Sequence, residues 1–345
     1  MDLLPSADQL ELVGAAAEFF AEQVPISAIR ERRDDASAIA PKVWTAGADL
    51  GLLGLSAPED VGGSGRGLDD EALLFRELGR ALVPGPFLPS VIGARLAVLG
   101  GQPETARLLV EGHTLVAAAL LRVGDDTASL TPTTLTGRIR VIDPANAEYV
   151  LVSGDEGAGL VATAALTDLT PVESSDPGSR VATAVADGAP VTCWVPAERD
   201  PIALRGAVLA AAQLVGIAEA VRDLSVAHAK TRVQFGRPIG VNQAIKHRCA
   251  DMAVAAEAAL QQTLFAAVSL ESGRADAEFQ VRAAKVVAGR AALGSAAETI
   301  QVHGGMGYTY EHDAHLYLKR AHVVDQLFGS RTAQLAPLLA QEAAQ

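Results

Sequence analysis

Two short segments in the last third of the sequence hold residues of the kind that grip a phosphate or a nucleotide. The first reads Thr231-Arg232-Val233-Gln234-Phe235-Gly236-Arg237-Pro238-Ile239, with Asn242-Gln243 close behind. Arg232 offers a planar fork of donors that matches a phosphate, and Phe235 offers an apolar face for stacking. Gly236 and Pro238 impose a defined turn between them. Taken by itself, such a pattern is more often a helix–helix connection with a solvated arginine. The second segment reads Gln301-Val302-His303-Gly304-Gly305-Met306-Gly307-Tyr308-Thr309 and follows a long helical pattern. Its glycines let a ligand or another backbone come close, and their amides can cradle an anion. It is not a Rossmann fingerprint, because no strand precedes it and the glycine spacing fails. Alone, it reads as a Gly-rich helix stop.

Other constellations carry less. Glu311, His315 and His322 could share a helix face and suggest a metal. With Lys319 and Arg320 among them they read instead as polar positions of a surface or interface helix, and no metal is expected. Gly63-Ser64-Gly65 is no nucleophile elbow, since Arg66 stands where that motif needs its last glycine.

The rest of the chain bounds what these segments can serve. Its 345 residues suffice for two or three packed layers, and an apolar share of 49% against 20% charged is a globular balance. A net charge of -13 with no basic run disfavours nucleic acid, whose phosphates need clustered Lys and Arg. Cys193 and Cys249 lie far apart without metal-ligand spacing, which suits a reducing compartment. The N-terminus carries acids where a signal peptide would be basic. The most apolar run, residues 208–220, is short and Ala-rich for a membrane span. A cytoplasmic protein with no membrane partner is expected.

Periodicity then places the elements. Residues 8–110 read mainly as helix, starting after Ser6, broken by the Pro58-to-Gly65 loop and by Pro84 and Pro86. Short apolar runs at 115–121, 139–142, 149–152 and 191–195, separated by Thr, Gly, Asp and Pro, read as antiparallel strands. After Pro201 long Ala-rich stripes return, one through Val208, Ala212, Val215, Ala218 and Val221, another through Ile245, Cys249, Met252, Ala256 and Leu260. The expected fold class is α+β, mostly α. It comprises an N-terminal helical domain (1–112), a middle antiparallel β domain (113–200) and a C-terminal four-helix bundle (201–345).

Together the two segments are far more specific than either alone. They resemble the acyl-CoA dehydrogenase family, in which R-x-x-F-G-x-P-I, a following F-Q and Q-x-x-G-G-x-G-Y recur in the C-terminal bundle. Gln243 keeps the family's distance from Arg232, although Asn242 replaces the usual Phe. Leu52-Leu53-Gly54-Leu55, Pro58-Glu59 with Gly62-Gly63, and Glu77-Leu78-Gly79-Arg80-Ala81 look like the family's landmarks in the first half. The resemblance spans nearly the whole chain. It implies FAD as cofactor, its ADP half gripped across a subunit interface by Arg232, Phe235, Gln243, Gln301, Val302, His303, Gly304 and Gly305.

The departures are informative. The family takes an α-proton from an acyl-CoA with a carboxylate in a Tyr-Glu-Gly-Thr turn downstream of the Gly-Gly. Here the equivalent position is Phe328, and the alternative position used by some members falls near Gly206. Phe accepts no proton, so no catalytic residue is assigned. Asp325, three residues before Phe328, could substitute, although an exposed or helix-pairing role is commoner. The segment that cradles the isoalloxazine is unrecognisable; Leu120-Leu121-Arg122-Val123-Gly124-Asp125-Asp126 stands in its place.

The resemblance therefore implies a subunit of a heteromeric, flavin-dependent oxidoreductase of lipid metabolism, most like the smaller subunit of two-subunit enzymes. It would complete a catalytic partner's FAD site in an α2β2 heterotetramer acting on an acyl-CoA, with electron-transfer flavoprotein or a similar acceptor. The alternatives are an active homo-oligomeric flavoenzyme with a displaced base, and a flavin-free scaffold.

Overall fold

The computed structural model describes residues 3–124 and 126–340. Six helices come first: α1 (Ala7–Gln23), α2 (Ser27–Glu31), α3 (Pro41–Asp49), α4 (Leu68–Arg80), α5 (Phe87–Leu99) and α6 (Pro103–Val110). Ser6 starts α1 through a capping box: its Oγ accepts from Gln9 N at 3.2 Å, and Gln9 Oε1 accepts from Ser6 N at 2.9 Å. Asp69, Asp70 and Glu71 open α4 and Arg80 closes it, each sign opposite to the helix-end dipole it faces.

Strands follow: β1 (Leu115–Leu120), β2 (Arg122–Val123), β3 (Asp126–Thr127), β4 (Ser129–Leu130), β5 (Thr134–Ile142), β6 (Ala147–Ser153), β7 (Gly157–Ala162), β8 (Thr167–Val172) and β9 (Val181–Pro196). Seven of them form one sheet in the order β4-β5-β1-β6-β7-β9-β8, and a further β5–β9 pairing closes it on itself. The long β9 makes this possible, pairing β5 and β8 with its first part and β7 with its second. Closure leaves fewer free edges, and Leu135, Ile139, Val141, Val150, Val152 and Val161 fill the interior. The sheet is not wholly antiparallel as expected: β1 and β6 run parallel, because the chain crosses over through β5 between them.

The remaining elements are α7 (Ile202–Thr231), a small ribbon of β10 (Val233–Gln234) and β11 (Arg237–Pro238), α8 (Gln243–Glu271), α9 (Ala277–His303), α10 (Ala314–Gln326) and α11 (Arg331–Ala340). The expected four-helix bundle thus carries a fifth helix. The helix–strand–helix order is the one the pattern called for.

The chain divides into two compact units. A sheet unit holds Ser27–Glu71 and Pro84–Gly206; a bundle unit holds Met1–Ile26, Ala72–Val83 and Ala207–Gln345. In the bundle unit, Val208, Ala212, Val215, Ala218 and Val221 are all buried, as their spacing implied. Small residues bring helices into backbone contact: a Cβ at Gly79 would strike the Gln213 carbonyl, and one at Gly216 the Arg76 carbonyl. The same crossing is tied by Arg76, whose Nε and Nη2 donate to Glu219 at 2.7 and 3.0 Å.

By length and apolarity α7 and α8 could each cross a membrane, so the stretch read as too short belongs to a 30-residue helix. Of α7's most apolar window 83% is buried within the protein, which makes it a core helix; for α8 the share is 39%.

Candidate functional site

The Arg232 segment forms a β-hairpin rather than a plain connection. Thr231 Oγ1 donates to Ala227 O at 2.9 Å as α7 ends, and β10 pairs with β11 through Val233↔Pro238 and Gln234↔Arg237. The two turn residues, Phe235 and Gly236, both take left-handed backbone, with φ of 52° and 78°. That is the two-residue turn whose twist matches a hairpin, and it favours Asn-Gly; a bulky Phe there is strained. Phe235 is nevertheless 101% exposed, so packing does not explain it. A strained, fully solvated aromatic makes the hairpin tip a candidate binding surface. Arg232 is exposed and its guanidinium has no partner among the described residues. Gln243 opens α8, also exposed.

The glycine segment begins at the end of α9. Gly304 ends the helix with φ 61° and ψ -140°, a conformation only glycine adopts readily, and its N–H donates to Gln301 O. A Cβ built on Gly304 or Gly305 meets nothing within 4 Å, so this turn opens outward. Gly307 differs, since a Cβ there would lie 2.7 Å from Ile300 O; it is needed for packing. Gln301 is exposed, whereas the side chains of Val302 and His303 are buried at 6% and 7% exposure.

His303 joins the two segments. Its ring centroid lies 4.2 Å from that of His228, four residues before Arg232, and 4.3 Å from that of His312. The end of α7 and the end of α9 are therefore at one end of the bundle unit. An open guanidinium, an exposed aromatic, exposed amides of Gln243 and Gln301, and an uncluttered glycine turn face solvent there. This donor set fits the anionic, aromatic ADP half of an FAD. Neither His228 nor His312 falls in a motif, and only their helix-end positions hinted at them.

Neither expected base position carries a carboxylate. Phe328 sits in a left-handed turn (φ 55°) followed by Gly329 (φ 88°), and Gln334 Nε2 donates to Phe328 O at 2.9 Å. Gly206 is buried in the first turns of α7. Asp325 is enclosed rather than exposed: its Oδ1 accepts from Arg331 N at 3.3 Å, and a Cβ on Gly289 would come within 2.7 Å of that oxygen. Beneath it, Lys285 is fully buried and its Nζ donates to Asp325 O at 2.8 Å. Burial pushes the Lys285 ammonium down to about 8, against the opposing pull of Asp325.

In the sheet unit, the buried Glu71 accepts from Ser56 Oγ at 2.5 Å and pairs with Arg205 Nη1 at 3.3 Å. Burial raises its carboxyl above the usual range, with Arg205 opposing. No motif marked this pair. It is saturated by its own partners and serves the fold.

At the place expected for the flavin-cradling segment stands the ribbon of β2 and β3, paired through Arg122↔Thr127 and Val123↔Asp126. Asp125 lies outside the described residues. Among the described residues no group of three or more His, Cys, Asp or Glu is placed to hold a metal, Glu311, His315 and His322 included.

Residues 6–111 match the family description "Acyl-CoA dehydrogenase, N-terminal domain", and residues 204–341 match "Acyl-CoA dehydrogenase, C-terminal domain". The chain is 38% identical over 289 residues to acyl-CoA dehydrogenase IpdE2 of Mycobacterium tuberculosis, a match covering 81% of this chain and 80% of that one. The solved ChsE4-ChsE5 complex from Mycobacterium tuberculosis aligns with a TM-score of 0.88 and 25% identity, over 100% of both chains. A variant of the Tcur3481-Tcur3483 steroid ACAD aligns with a TM-score of 0.86 and 27% identity, over 96% of each.

Proposed function

The chain belongs to the acyl-CoA dehydrogenase family, and from that premise we propose that it is the half-site subunit of a heteromeric enzyme. The family consists of FAD flavoproteins that oxidise acyl-CoA thioesters. In this reading the chain grips the ADP half of an FAD whose flavin end and base belong to a partner. Arg232 pairs with the pyrophosphate, Phe235 stacks, Gln243 and Gln301 donate, and the backbone of Val302, His303, Gly304 and Gly305 closes on the phosphates. FAD held there would supply the acceptor for a hydride from the β-carbon, and the α-proton would go to the partner's carboxylate.

One observation carries the reading. The residues assigned to the grip are largely open to solvent, while Phe328 and Gly206 occupy the two base positions and Asp325, the carboxylate nearest Phe328 in the chain, is enclosed. Two solved relatives bear on the assembly and the substrate: one is a ChsE4-ChsE5 complex, the other a steroid ACAD. The first supports pairing with a second, unlike subunit and the second a bulky acyl-CoA. To these we add, as parts of the same proposal, an α2β2 arrangement, a cytoplasmic location and an electron-transfer flavoprotein or similar acceptor.

The test is anaerobic mixing of the purified chain, supplied with FAD, with saturated acyl-CoA thioesters. No bleaching of flavin absorbance is expected. Bleaching by a homogeneous preparation would overturn the assignment.

A further inference from the structure

Three imidazoles are stacked where the two gripping segments meet. The rings of His228 and His303 lie 4.2 Å apart, tilted by 30°, and those of His303 and His312 lie 4.3 Å apart, tilted by 53°. Each ring comes from a different part of the unit. His228 is in the last turn of α7, His303 is the last residue of α9, and His312 precedes α10. The middle ring is held between the other two, and its backbone leads directly into Gly304.

Backbone contacts set the state of two rings. A carbonyl only accepts, so His303 Nδ1, 2.8 Å from Thr299 O, carries a hydrogen and donates it. An amide N–H only donates, so His312 Nδ1, 3.1 Å from Ala314 N, is the bare acceptor and caps the first amide of α10. A proton placed on that nitrogen would break the cap. A second proton on an adjacent ring would set two cations with ring centroids 4.2 or 4.3 Å apart.

The charged surroundings are mixed. Arg232 acts on His228 from the end of α7, and Lys230 lies between them in the chain. Glu311 and Asp313 flank His312. Burial lowers His228 below the ordinary histidine range, with His303, His312 and Arg232 acting the same way; burial also lowers His303, opposed by its hydrogen bond to Thr299 O and aided by His312.

We propose that His228 and His312 are positioning residues: while uncharged they hold His303, and through it the turn at residues 301–305, in its gripping geometry, and acid releases them. The consequence for FAD rests on the function proposed above; the clamp itself does not.

Amide hydrogen exchange of the full-length chain, in whichever assembly it purifies, reads the clamp directly. After correction for the intrinsic pH dependence of exchange, protection at residues 301–308 is expected to fall roughly tenfold between about pH 7.5 and 5.5. The middle of α9 serves as an internal control and keeps its protection. His228→Phe keeps an aromatic ring that takes no proton, and His312→Gln keeps an uncharged acceptor for Ala314 N–H. In each, the fall should shrink to about threefold or less. Should one variant not fold, the other decides.

Unchanged protection in the wild type, or an equal fall in the variants, would overturn the clamp. FAD retention measured on the same samples separates the two readings. Acid that loosens the turn without loosening FAD supports the clamp and removes the ADP assignment. Acid that loosens FAD without loosening the turn overturns the clamp.

Discussion

Phe235 and Arg232 show how a residue can be read from what it does not do. The Arg232 guanidinium has no hydrogen-bond or ion-pair partner among the described residues, and Phe235 holds a strained φ of 52° while buried against nothing. Left-handed backbone costs a bulky residue roughly 1–2 kcal/mol, and no packing offsets that here. Both side chains should therefore matter to a ligand and not to the fold. Arg232→Ala is expected to weaken FAD retention in the assembled enzyme by about 1.5–3 kcal/mol, roughly tenfold to a hundredfold. Phe235→Asn should weaken retention in the same way and leave thermal stability equal or slightly raised, since Asn-Gly suits this hairpin turn. FAD titration and thermal unfolding on the same samples check both halves. Lost stability with unchanged FAD affinity would return the two residues to structural roles.

The elements were legible where a long apolar run or a helix-start residue marks them. The stripe read through α7 is buried, as are Leu209, Ala210, Ala211 and Leu214 between its positions, so the run marks a core helix, while Ser6, read as a start signal, opens α1 with a capping box. Strand β8 left no such trace because all six of its residues are exposed, so nothing alternates. Strand β7 reads Gly-Ala-Gly-Leu-Val-Ala, whose glycines suggest a turn although almost every position is buried. The hairpin after α7 was hidden by the Phe in its turn, and the imidazole stack by partners drawn from three separate elements.

Lys285 is the clearest misdirection, a lysine within an Ala-rich helix that would ordinarily face solvent and here is fully buried under α10. Its folded value of about 8 lies below the ordinary 10.5. Between those limits the unfolded chain binds more protons than the folded one, so stability rises with pH across that window. The destabilising contribution is full below about pH 8 and is gone above the unfolded value. Lys285→Met removes it. The stability of the wild type relative to this variant should climb with pH across the window, by on the order of 3 kcal/mol. A pH-independent difference in urea midpoints would show that Lys285 is not buried as a cation.

At the scale of the whole molecule, every residue assigned to the grip lies in the bundle unit. The sheet unit offers the small β2–β3 ribbon where relatives would be expected to cradle a flavin. The bundle unit also keeps an apolar helix partly uncovered: only 39% of the most apolar window of α8 is buried, and Val254 on it is 70% exposed. An apolar face of that kind suits burial against another subunit. In the half-site role proposed above, such a chain completes a neighbour's site without building its own, and two copies of it would pair two ADP grips with no flavin cradle. The decisive measurement is a count of flavin. The complex of this chain with its catalytic partner is purified and denatured, and released FAD absorbance is compared with the concentration of each polypeptide. One FAD is expected for each pair of unlike chains; one FAD per polypeptide, or a stable flavin-loaded homo-oligomer of this chain, would contradict the half-site role.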